Sequence, residues 1–456
     1  MNFKSLYLII ILILFSYLTS AQIIGGPEYE KSYDMISDSA GNLYLTGFSG
    51  SYNKGNKEAY IIKYNTHENS FSYKTWGKGL QDEFRTVSLT NDGFIFSGSS
   101  MWMEDKAIQA VLAKYNSELE QEWINDYGNN HFQHFYTALV HSNRQIYAAG
   151  NDRRNTWPSL YFICTESNGK LVWERICSDY ISAFIVDLIE KENGNIVALC
   201  SQGGFFNLGS QWHSHKFSNA NILFIEIDKN GEIVYNYIIH KRHHDIPIKI
   251  MHANKGNFYL LSHSQSYREG NGFDICLSLL DPEFKTIWVK CYGGLKFEYA
   301  ADMEIDADGN IHIVGTSGSA NEDFPVIFYL KTDPKGNLLE KEYLLDKYRG
   351  YGSSIEIIDT NIYISGTITL DGDDDFVLLK NKSLANNDVK IENTVFYDSL
   401  TEKRISLFNR QIFLNSDSLE VIIMDSNAKQ IENYYVEKVE NDDYLSLNLD
   451  TYTAGI

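Results

Sequence analysis

Five histidines lie in two loops of the sequence and could act together as metal ligands. They are His213, His215, His240, His243 and His244. Neutral imidazole rings are common ligands for transition metals. If the two loops converge, four of these residues form the predicted metal site: His213, His215, His243 and His244. Lys241 and Arg242 favour an anionic ligand instead, and a solvated loop without any ligand is the third interpretation.

Large aromatic residues recur in loops that are predicted to share one face of the molecule. Five of them are candidate ligand-binding residues: Trp102, Trp157, Trp212, Tyr52 and Tyr267. Phe324 occupies a comparable loop. Because aromatic rings stack on sugar rings and anchor peptide side chains, the set predicts a face that binds a glycan or a protein. The alternative is that each ring only covers the neighbouring structural unit.

The chain contains five cysteines and no C-x-x-C pair, which excludes zinc-ribbon and thioredoxin-like sites. Alignment of two predicted strands on the turn between them places Cys276 opposite Cys291. A disulfide between these two residues is one expectation, and two free thiols are the other. The same alignment in an earlier unit places Cys164 opposite Trp173 and away from Cys177.

The remaining residues form no recognisable catalytic motif. The acidic run 371–375 resembles a calcium-binding loop but lacks the glutamate that completes such a loop, so a solvated turn is favoured. The sequence has no nucleophile elbow, zinc-protease motif, phosphate-binding loop or dinucleotide-binding pattern. The carboxylates are numerous and scattered. The sequence therefore selects no catalytic residue and predicts no cofactor.

A repeated element must position all of these residues. A turn, a short alternating strand and a small residue recur seven times, with the small residue at positions 47, 98, 150, 200, 262, 315 and 366. The clearest unit, 300–344, contains four alternating runs separated by Asp/Asn/Gly turns, which is typical of an antiparallel meander. The Asn-Gly pairs at 168–169 and 230–231 favour two-residue primed turns between the third and fourth strands of their units. We therefore expect an all-β fold over residues 22–396, a seven-bladed β-propeller of four-stranded antiparallel blades. Six or eight blades are the alternatives if the end units merge or one unit is hidden.

Composition and the first residues indicate where the protein works. Hydrophobic residues make up 43% of the 456 residues, enough to form a core, and the formal net charge of −21 argues against a nucleic-acid partner. Residues 1–21 combine Lys4, an apolar run and small residues ending at Ala21, the pattern of a cleaved signal peptide. No later stretch is apolar enough to span a membrane. We expect a secreted or cell-surface protein, and an uncleaved anchor is the alternative.

Residues 292–325 contain a glycine pair, Asp-Gly-Asn, Gly-Thr and a Ser…Asp-Phe-Pro loop. This stretch resembles the β-propeller repeat of bacterial secreted proteins, and the resemblance extends unevenly over roughly 24–390. Such repeats imply a fold and not an activity.

The C-terminal region, 397–456, follows a different pattern of shorter strands. Val421–Asp425 with Lys429, followed by Leu445–Ile456, resembles the C-terminal sorting domain of type IX secretion cargo. The resemblance implies a small β-sandwich that is recognised by the secretion machinery. It stops at Ile456, where the family continues into a last strand, so we expect a truncated or degenerate domain. A generic β-sandwich cap is the alternative.

Two functions from different classes follow. The first is a non-enzymatic scaffold that binds a glycan or protein on its loop face, and the alternative is a carbohydrate-active hydrolase or lyase with its site at the channel mouth. A purely structural spacer is a third option. A carboxylate pair, or a His–Tyr–Arg set, facing the channel mouth would favour the enzyme, because catalysis needs unlike groups converging in one pocket.

Overall fold

The protein is described from a computed structural model. The described residues are 21–24, 28–53, 56–101, 107–128, 132–153, 158–180, 182–203, 205–208, 211–214, 220–241, 243–267, 272–321, 323–370, 372–380, 391–394, 404–408, 418–424, 430–437 and 444–448. Only the backbone is described for 21–23, 52–53, 56, 205–208, 211–214 and the strands from 391 onward. No helix among the described residues is both long and apolar enough to cross a membrane.

The described chain is built almost entirely from β-strands. The first nineteen are β1 (Ala21–Ile24), β2 (Glu30–Ser37), β3 (Asn42–Asn53), β4 (Asn56–Asn65), β5 (Ser70–Trp76), β6 (Gln81–Leu89), β7 (Gly93–Met101), β8 (Ile108–Asn116), β9 (Gln121–Tyr127), β10 (Gln133–Val140), β11 (Ile146–Asp152), β12 (Ser159–Thr165), β13 (Leu171–Cys177), β14 (Ala183–Glu190), β15 (Ile196–Gln202), β16 (Phe205–Leu208), β17 (Gln211–Ser214), β18 (Asn221–Ile227) and β19 (Ile233–Ile239). The remaining strands are β20 (Asp245–His252), β21 (Phe258–Ser264), β22 (Asp274–Leu280), β23 (Thr286–Tyr292), β24 (Glu298–Ile305), β25 (Ile311–Ser317), β26 (Val326–Thr332), β27 (Leu338–Leu344), β28 (Gly350–Ile358), β29 (Asn361–Leu370), β30 (Asp373–Lys380), β31 (Ile391–Thr394), β32 (Arg404–Phe408), β33 (Ser418–Met424), β34 (Gln430–Glu437) and β35 (Tyr444–Asn448). A 3-10 turn, Asn254–Gly256, precedes β21.

The strands form consecutive antiparallel meanders of four. Four separate sheets have this form: β10–β13, β14-β15-β18-β19, β20–β23 and β24–β27. The meanders β2–β5 and β6–β9 are joined into one sheet by a parallel bridge between Lys57 and Gln81. The first strand of each meander contacts the first strand of the next, and β28 contacts β2. The expected units of four antiparallel strands are therefore present.

The last meander takes its fourth strand from the other end of the chain. β28, β29 and β30 are followed in the sheet by β1, which pairs antiparallel with β30. β31 then pairs in parallel with β1. The N-terminal strand is thus held between two segments that lie more than 350 residues later in the sequence.

Apolar clusters lie between consecutive sheets. Leu160 and Phe162 of β12, for example, pack in one cluster with Ile185 and Leu188 of β14. Burial of both faces of a sheet thus depends on its neighbours, which is the reason for radial packing.

The turns between the third and fourth strands are longer than the sequence indicates. Gly231 adopts a φ of 80°, as an Asn-Gly turn predicts. However, the Asp228 N–H donates to the carbonyl oxygen of Glu232, and the register shifts between Glu226 and Ile227. The expectation of a two-residue primed turn is therefore wrong here, because the glycine forms a bulge that closes a longer turn.

The C-terminal strands form two pairs: β32 with β35, and β33 with β34, both antiparallel.

Candidate functional site

The first strand of every meander carries one β-bulge at the same position. In each strand the register with the second strand skips one residue, and the skipped residues are Tyr33, Arg85, Tyr136, Val186, Ile248, Ala301 and Ser353. A bulge leaves its extra residue unpaired and redirects the side chain. Six of the seven, all but Ser353, line a cavity of about 800 Å³ between the first strands.

The repeated small residue of the sequence lies opposite each bulge. Gly150 of β11 pairs with Phe135, directly before the skipped Tyr136. A Cβ atom at Gly150 would overlap the carbonyl oxygen of His134. Glycine is therefore required there to allow close approach of the two backbones. Cys200 and Ser262 occupy the same position in two other units, so the bulge tolerates a small side chain in those strands.

One side of the cavity is polar. We call it the polar wall. It consists of Lys31, Tyr33, Arg85 and Tyr136, which line the cavity, together with Glu83 and His134, which lie two residues before Arg85 and Tyr136 on β6 and β10. Glu83 accepts a hydrogen bond from Nε of Arg85 at 2.8 Å and from the hydroxyl of Tyr33 at 2.9 Å. The Arg85 guanidinium lies 4.8 Å from the ring centre of Tyr33 and 5.3 Å from that of Tyr136. These contacts fix Arg85 between two aromatic faces.

Two polar atoms of this wall lack a partner. The hydroxyl of Tyr136 and Nδ1 of His134 are buried and make no hydrogen bond to any residue that the structure describes. The two rings stack 6.0 Å apart with an angle of 6°. Burial lowers the pKa of His134 to about 4, so its ring is neutral at pH 7, and burial raises the pKa of Tyr136. Unsatisfied buried groups are rare and call for an explanation such as a ligand or bound water.

Lys31 of the polar wall and Lys57 of β4 carry positive charge without an ion-pair partner among the described residues. Lys31 lies 5.3 Å from the ring centre of Tyr33, and Lys57 lies 4.2 Å from that of Phe48. Burial, together with the charge of Arg85, lowers the pKa of Lys31 to about 8. Burial also lowers the pKa of Lys57. An anion placed between these amines would relieve their mutual repulsion.

The carboxylates that line the cavity already have other partners. Glu30 accepts hydrogen bonds from the hydroxyls of Ser49 and Ser51 at 2.7 and 2.5 Å. Asp374 accepts one from Thr369 at 2.7 Å. Neither forms an ion pair with Lys31 or Lys57 in the described part of the chain.

The opposite side of the cavity is apolar. We call it the apolar wall, and it consists of residues on β14, β20 and β24: Phe184, Val186, Ile246, Ile248 and Ala301. Phe184 and Ile246 are about 95% buried, while the bulge residues are partly exposed. The cavity therefore differs in chemistry from one side to the other.

A second ring of charged residues lies one step further along the first strands. We call it the lower ring, and it consists of Asp34, Asp187, Lys249 and Asp302. Each aspartate accepts a hydrogen bond from a backbone N–H of the next meander, donated by Val87, Ile250 and Ile355 respectively. Lys249 forms an ion pair of 2.5 Å with Asp302. These residues connect neighbouring sheets.

The candidate residues from the loops have mixed outcomes. Trp102, Trp157 and His215 lie outside the described residues, and Tyr52, Trp212 and His213 are described only by their backbone in β3 and β17. Tyr267 is 45% exposed, with Nζ of Lys241 5.5 Å from its ring centre.

The two described histidines of the predicted metal site make backbone contacts. Nδ1 of His244 accepts the N–H of Ala220 at 3.0 Å, and the N–H of His243 donates to Ser266 at 3.2 Å. Within the described part of the chain, no three His, Cys, Asp or Glu residues are grouped so that they could hold a metal ion.

The cysteine register agrees with the alignment on the turns. Cys276 pairs with Cys291 across β22 and β23, and the two form a disulfide. Cys164 pairs with Trp173, and Cys164, Cys177 and Cys200 are free.

The polar wall was missed by sequence reasoning, although a signal for it exists. The candidate residues selected from the sequence are aromatic residues and histidines in loops, whereas the residues of the polar wall lie within strands of ordinary alternation. The repeated small residue marks the position opposite each bulge. Counting back 13 or 14 residues from it identifies Tyr33, Arg85 and Tyr136.

Comparison with known proteins gives the fold class. No family model and no curated protein matches the sequence. Among solved structures, a polysaccharide lyase of family PL25, an ulvan lyase bound to -[GlcA(1-4)Rha3S]-, is similar at 11% identity with a TM-score of 0.51, covering 78% of this chain and 94% of that one. The WD40 domain of Neurospora crassa Pan2 is similar at 12% identity with a TM-score of 0.48, covering 80% and 92%.

A puromycin hydrolase is also similar, at 8% identity and a TM-score of 0.48, over 74% of this chain and 50% of that chain. The structural neighbours are β-propellers. The similarity to the ulvan lyase, together with the succession of four-stranded antiparallel sheets, shows that this protein has a β-propeller fold.

Proposed function

We propose that this protein is an exported seven-bladed β-propeller that binds an acidic carbohydrate in its central cavity. Seven blades are supported by seven equivalent bulges and by the contact of β28 with β2, which returns the succession of first strands to its start. The site then lies on the axis of the propeller, where all blades contribute one strand.

The observation that carries the proposal is the presence of two lysines, Lys31 and Lys57, at an aromatic cavity. The whole chain has a formal net charge of −21, yet these two lysines lie without ion-pair partners among the described residues. Burial and nearby charges, including that of Lys57, lower the pKa of Lys31, and the charges of the two partly buried amines are unfavourable together unless an anion binds near them. This placement favours a ligand with carboxylate or sulfate groups.

The aromatic lining favours a sugar over other anions. Tyr29, Phe48, Tyr299 and Tyr351 line the same cavity as the lysines. Aromatic rings provide flat surfaces for the C–H faces of sugars. The hydroxyl of Tyr136 offers a hydrogen bond that no described residue takes. A volume of about 800 Å³ lies within the range of ligand pockets.

Isothermal titration of the mature chain with glucuronate oligomers and ulvan oligosaccharides tests the proposal. We expect Lys31→Met to weaken binding about tenfold or more, because one charge-assisted contact is lost. Lys341→Met is the matched control, since Lys341 lies 5.4 Å from the ring of Tyr343 in the same arrangement but on an outer strand.

Three further results define the outcome. Affinity should fall as the pH rises through about 8, where Lys31 loses its charge, and Lys31→Met should remove this dependence. Neutral cello-oligosaccharides should not bind. Binding of polyglutamate but of no acidic sugar would identify a peptide site and refute the carbohydrate proposal.

A second candidate function is cleavage of the same ligand by a lyase or hydrolase. The observation that favours it is the His134–Tyr136–Arg85 set, which brings a neutral imidazole, a phenol and a guanidinium to one wall. A neutral imidazole can accept a proton from the carbon next to a carboxylate, a phenol can donate one to the leaving group, and a guanidinium can stabilise the developing charge. Tyr136→Phe should then abolish formation of unsaturated uronate, detected by ultraviolet absorbance, while binding persists.

Export and sorting complete the proposal. We propose that the leader is removed after Ala21 and that residues 397–456 serve as a type IX sorting domain, which would place the protein outside the cell or on its surface. Removal of the leader would leave residues 22–24 free to occupy their position beside β30. N-terminal sequencing of the exported protein should begin at Gln22, and deletion of 397–456 should retain the protein in the periplasm.

A further inference from the structure

The two walls of the central cavity divide along the order of the strands. Three consecutive first strands, β2, β6 and β10, contribute the polar wall. The strands that follow them, β14, β20 and β24, contribute the apolar wall. The bulge residues of these six strands are, in chain order, Tyr33, Arg85 and Tyr136 and then Val186, Ile248 and Ala301. The six bulge residues that line the cavity are thus divided into three polar residues on one side and three aliphatic residues on the other.

Part of the apolar wall is not covered by any residue that the structure describes. Phe184 and Ile246 are buried, whereas Val186 and Ile248 pack partly against the apolar clusters between the sheets and, like Ala301, retain partial exposure at the cavity. Each lies at a bulge, where the backbone directs one extra side chain away from the sheet. Contact between these aliphatic groups and water is unfavourable, and an apolar group of a ligand would displace that water.

A sugar ring with hydroxyls at every position offers little to such a wall. The polar wall and Lys57 can bind the acidic groups and hydroxyls of a ligand. Such groups would make no favourable contact with the three aliphatic side chains on the facing side. A methyl group would satisfy the aliphatic surface, and in sugars a methyl group occurs in O-acetyl substituents and in 6-deoxy sugars.

We infer that the apolar wall is a methyl-binding subsite, and that the ligand is an acidic carbohydrate whose residues also carry a methyl group. The ligand lies with its anionic groups toward Lys31 and Arg85 and with the methyl group against Val186 and Ile248. This inference rests on the proposed function and specifies its ligand.

Matched ligands that differ only in the methyl group test the inference. One pair is O-acetylated alginate oligomers and the same oligomers after alkaline deacetylation. The second pair is glucuronyl-L-rhamnose and glucuronyl-L-mannose, which differ at the 6-hydroxyl. We expect the methyl-bearing member of at least one pair to bind roughly 3- to 10-fold more tightly to the mature chain, and the pair that discriminates identifies the source of the methyl group.

The double variant Val186→Thr/Ile248→Thr keeps branched side chains on both strands while adding hydroxyls. Whatever its affinity for the methyl-free ligands, the ratio of the affinities for the two members of the discriminating pair should fall to about one. Val172→Thr is the matched control, because Val172 is 45% exposed on the outer strand β13, and it should retain the preference. Thermal unfolding of each variant checks that the fold persists, and the single variant Ile248→Thr replaces the double variant if that one unfolds.

The outcomes separate the two levels of the argument. Equal affinity for both members of both pairs would overturn the methyl-binding subsite and leave the proposed function intact. A preference that survives Val186→Thr/Ile248→Thr in a folded protein would also overturn it. Failure of every acidic ligand to bind would refute the proposed function itself, and the subsite with it.

Discussion

The polar wall and the lower ring are two groups of charged residues on the same strands, and they differ in how their polar atoms are used. In the lower ring, each aspartate bonds to a backbone N–H of the following blade, and Lys249 pairs with Asp302. In the polar wall, the hydroxyl of Tyr136 and Nδ1 of His134 have no partner among the described residues.

This difference teaches how to separate support from function within a buried charged cluster. A group that is fully hydrogen-bonded inside the protein stabilises the fold, whereas an unpartnered buried group costs free energy unless something outside the chain satisfies it. The lower ring therefore holds the blades together, and the polar wall is available to a ligand. Variants that affect only stability or only binding should distinguish the two.

The largest effect is expected in the lower ring. Asp302→Ala removes the partner of Lys249 and the acceptor for the Ile355 N–H and the Ser354 hydroxyl, which donate at 2.9 and 2.6 Å. Removal of one member of a buried ion pair costs about 3 to 5 kcal/mol. Urea unfolding should show this loss in the free energy of unfolding.

Lys31→Met is the counterpart in the polar wall, because Lys31 forms no ion pair with any residue that the structure describes. It should weaken binding of glucuronate oligomers more than it lowers the unfolding free energy. If Asp302→Ala weakened binding as strongly while the protein remained folded, the division between the two regions would be wrong.

The next effect concerns the bulge that directs Tyr136 into the cavity. Gly150→Ala would force the new Cβ atom against the carbonyl oxygen of His134, so the strands must separate locally. We expect a loss of about 1 to 3 kcal/mol in the free energy of unfolding, together with weaker ligand binding. Cys200, at the equivalent position of another blade, already has a Cβ atom, so Cys200→Ala should leave the bulge unchanged. Equal losses in both variants would show that the glycine is not specifically required.

The bulge positions also show how much of the structure could be predicted from the sequence. The strand-and-turn repeat, the four-stranded meanders and the opposition of Cys276 and Cys291 follow from period-two alternation and from turn residues, which are local signals. Tyr33, Arg85 and Tyr136 were not recognised, because their importance arises from a one-residue bulge and from the meeting of strands about fifty residues apart, and neither follows from local alternation. The long turn after Asp228 was missed because Asn-Gly suits two turn lengths.

A smaller effect is expected in the pH dependence of stability. Burial, together with the charge of Asp302, raises the pKa of Asp34 to about 7. Because this value lies above the ordinary value in the unfolded chain, the folded state binds more protons between about pH 4 and 7, and Asp34 contributes less stability as the pH rises. Asp34→Asn should therefore reduce the loss of stability between about pH 5 and 8 by roughly 1 kcal/mol or more.

The pH dependence of the stability of Asp34→Asn must be compared with that of the wild type, because two buried histidines change the stability in the opposite direction as the pH rises. Burial lowers the pKa of His134 to about 4 and that of His263 to about 3, so both favour folding more as the pH rises through their unfolded value of about 6.5. Both are unchanged in Asp34→Asn, so the difference between the two unfolding curves isolates Asp34. Parallel curves would show that Asp34 titrates normally.

The smallest effect compares two tyrosine hydroxyls. The hydroxyl of Tyr329 lies 2.8 Å from Nδ1 of His312 in a fully buried site, whereas that of Tyr136 has no partner among the described residues. Tyr329→Phe should cost about 1 kcal/mol or more, because a buried hydrogen bond is lost and the imidazole is left unsatisfied. Tyr136→Phe should change the free energy of unfolding by no more than about 0.5 kcal/mol, since only an unsatisfied group is removed. The substitution should instead affect ligand binding or cleavage. A stable Tyr136→Phe variant with weakened binding or lost cleavage would support the division between the lower ring and the polar wall. A variant as unstable as Tyr329→Phe would show that the polar wall serves the stability of the fold.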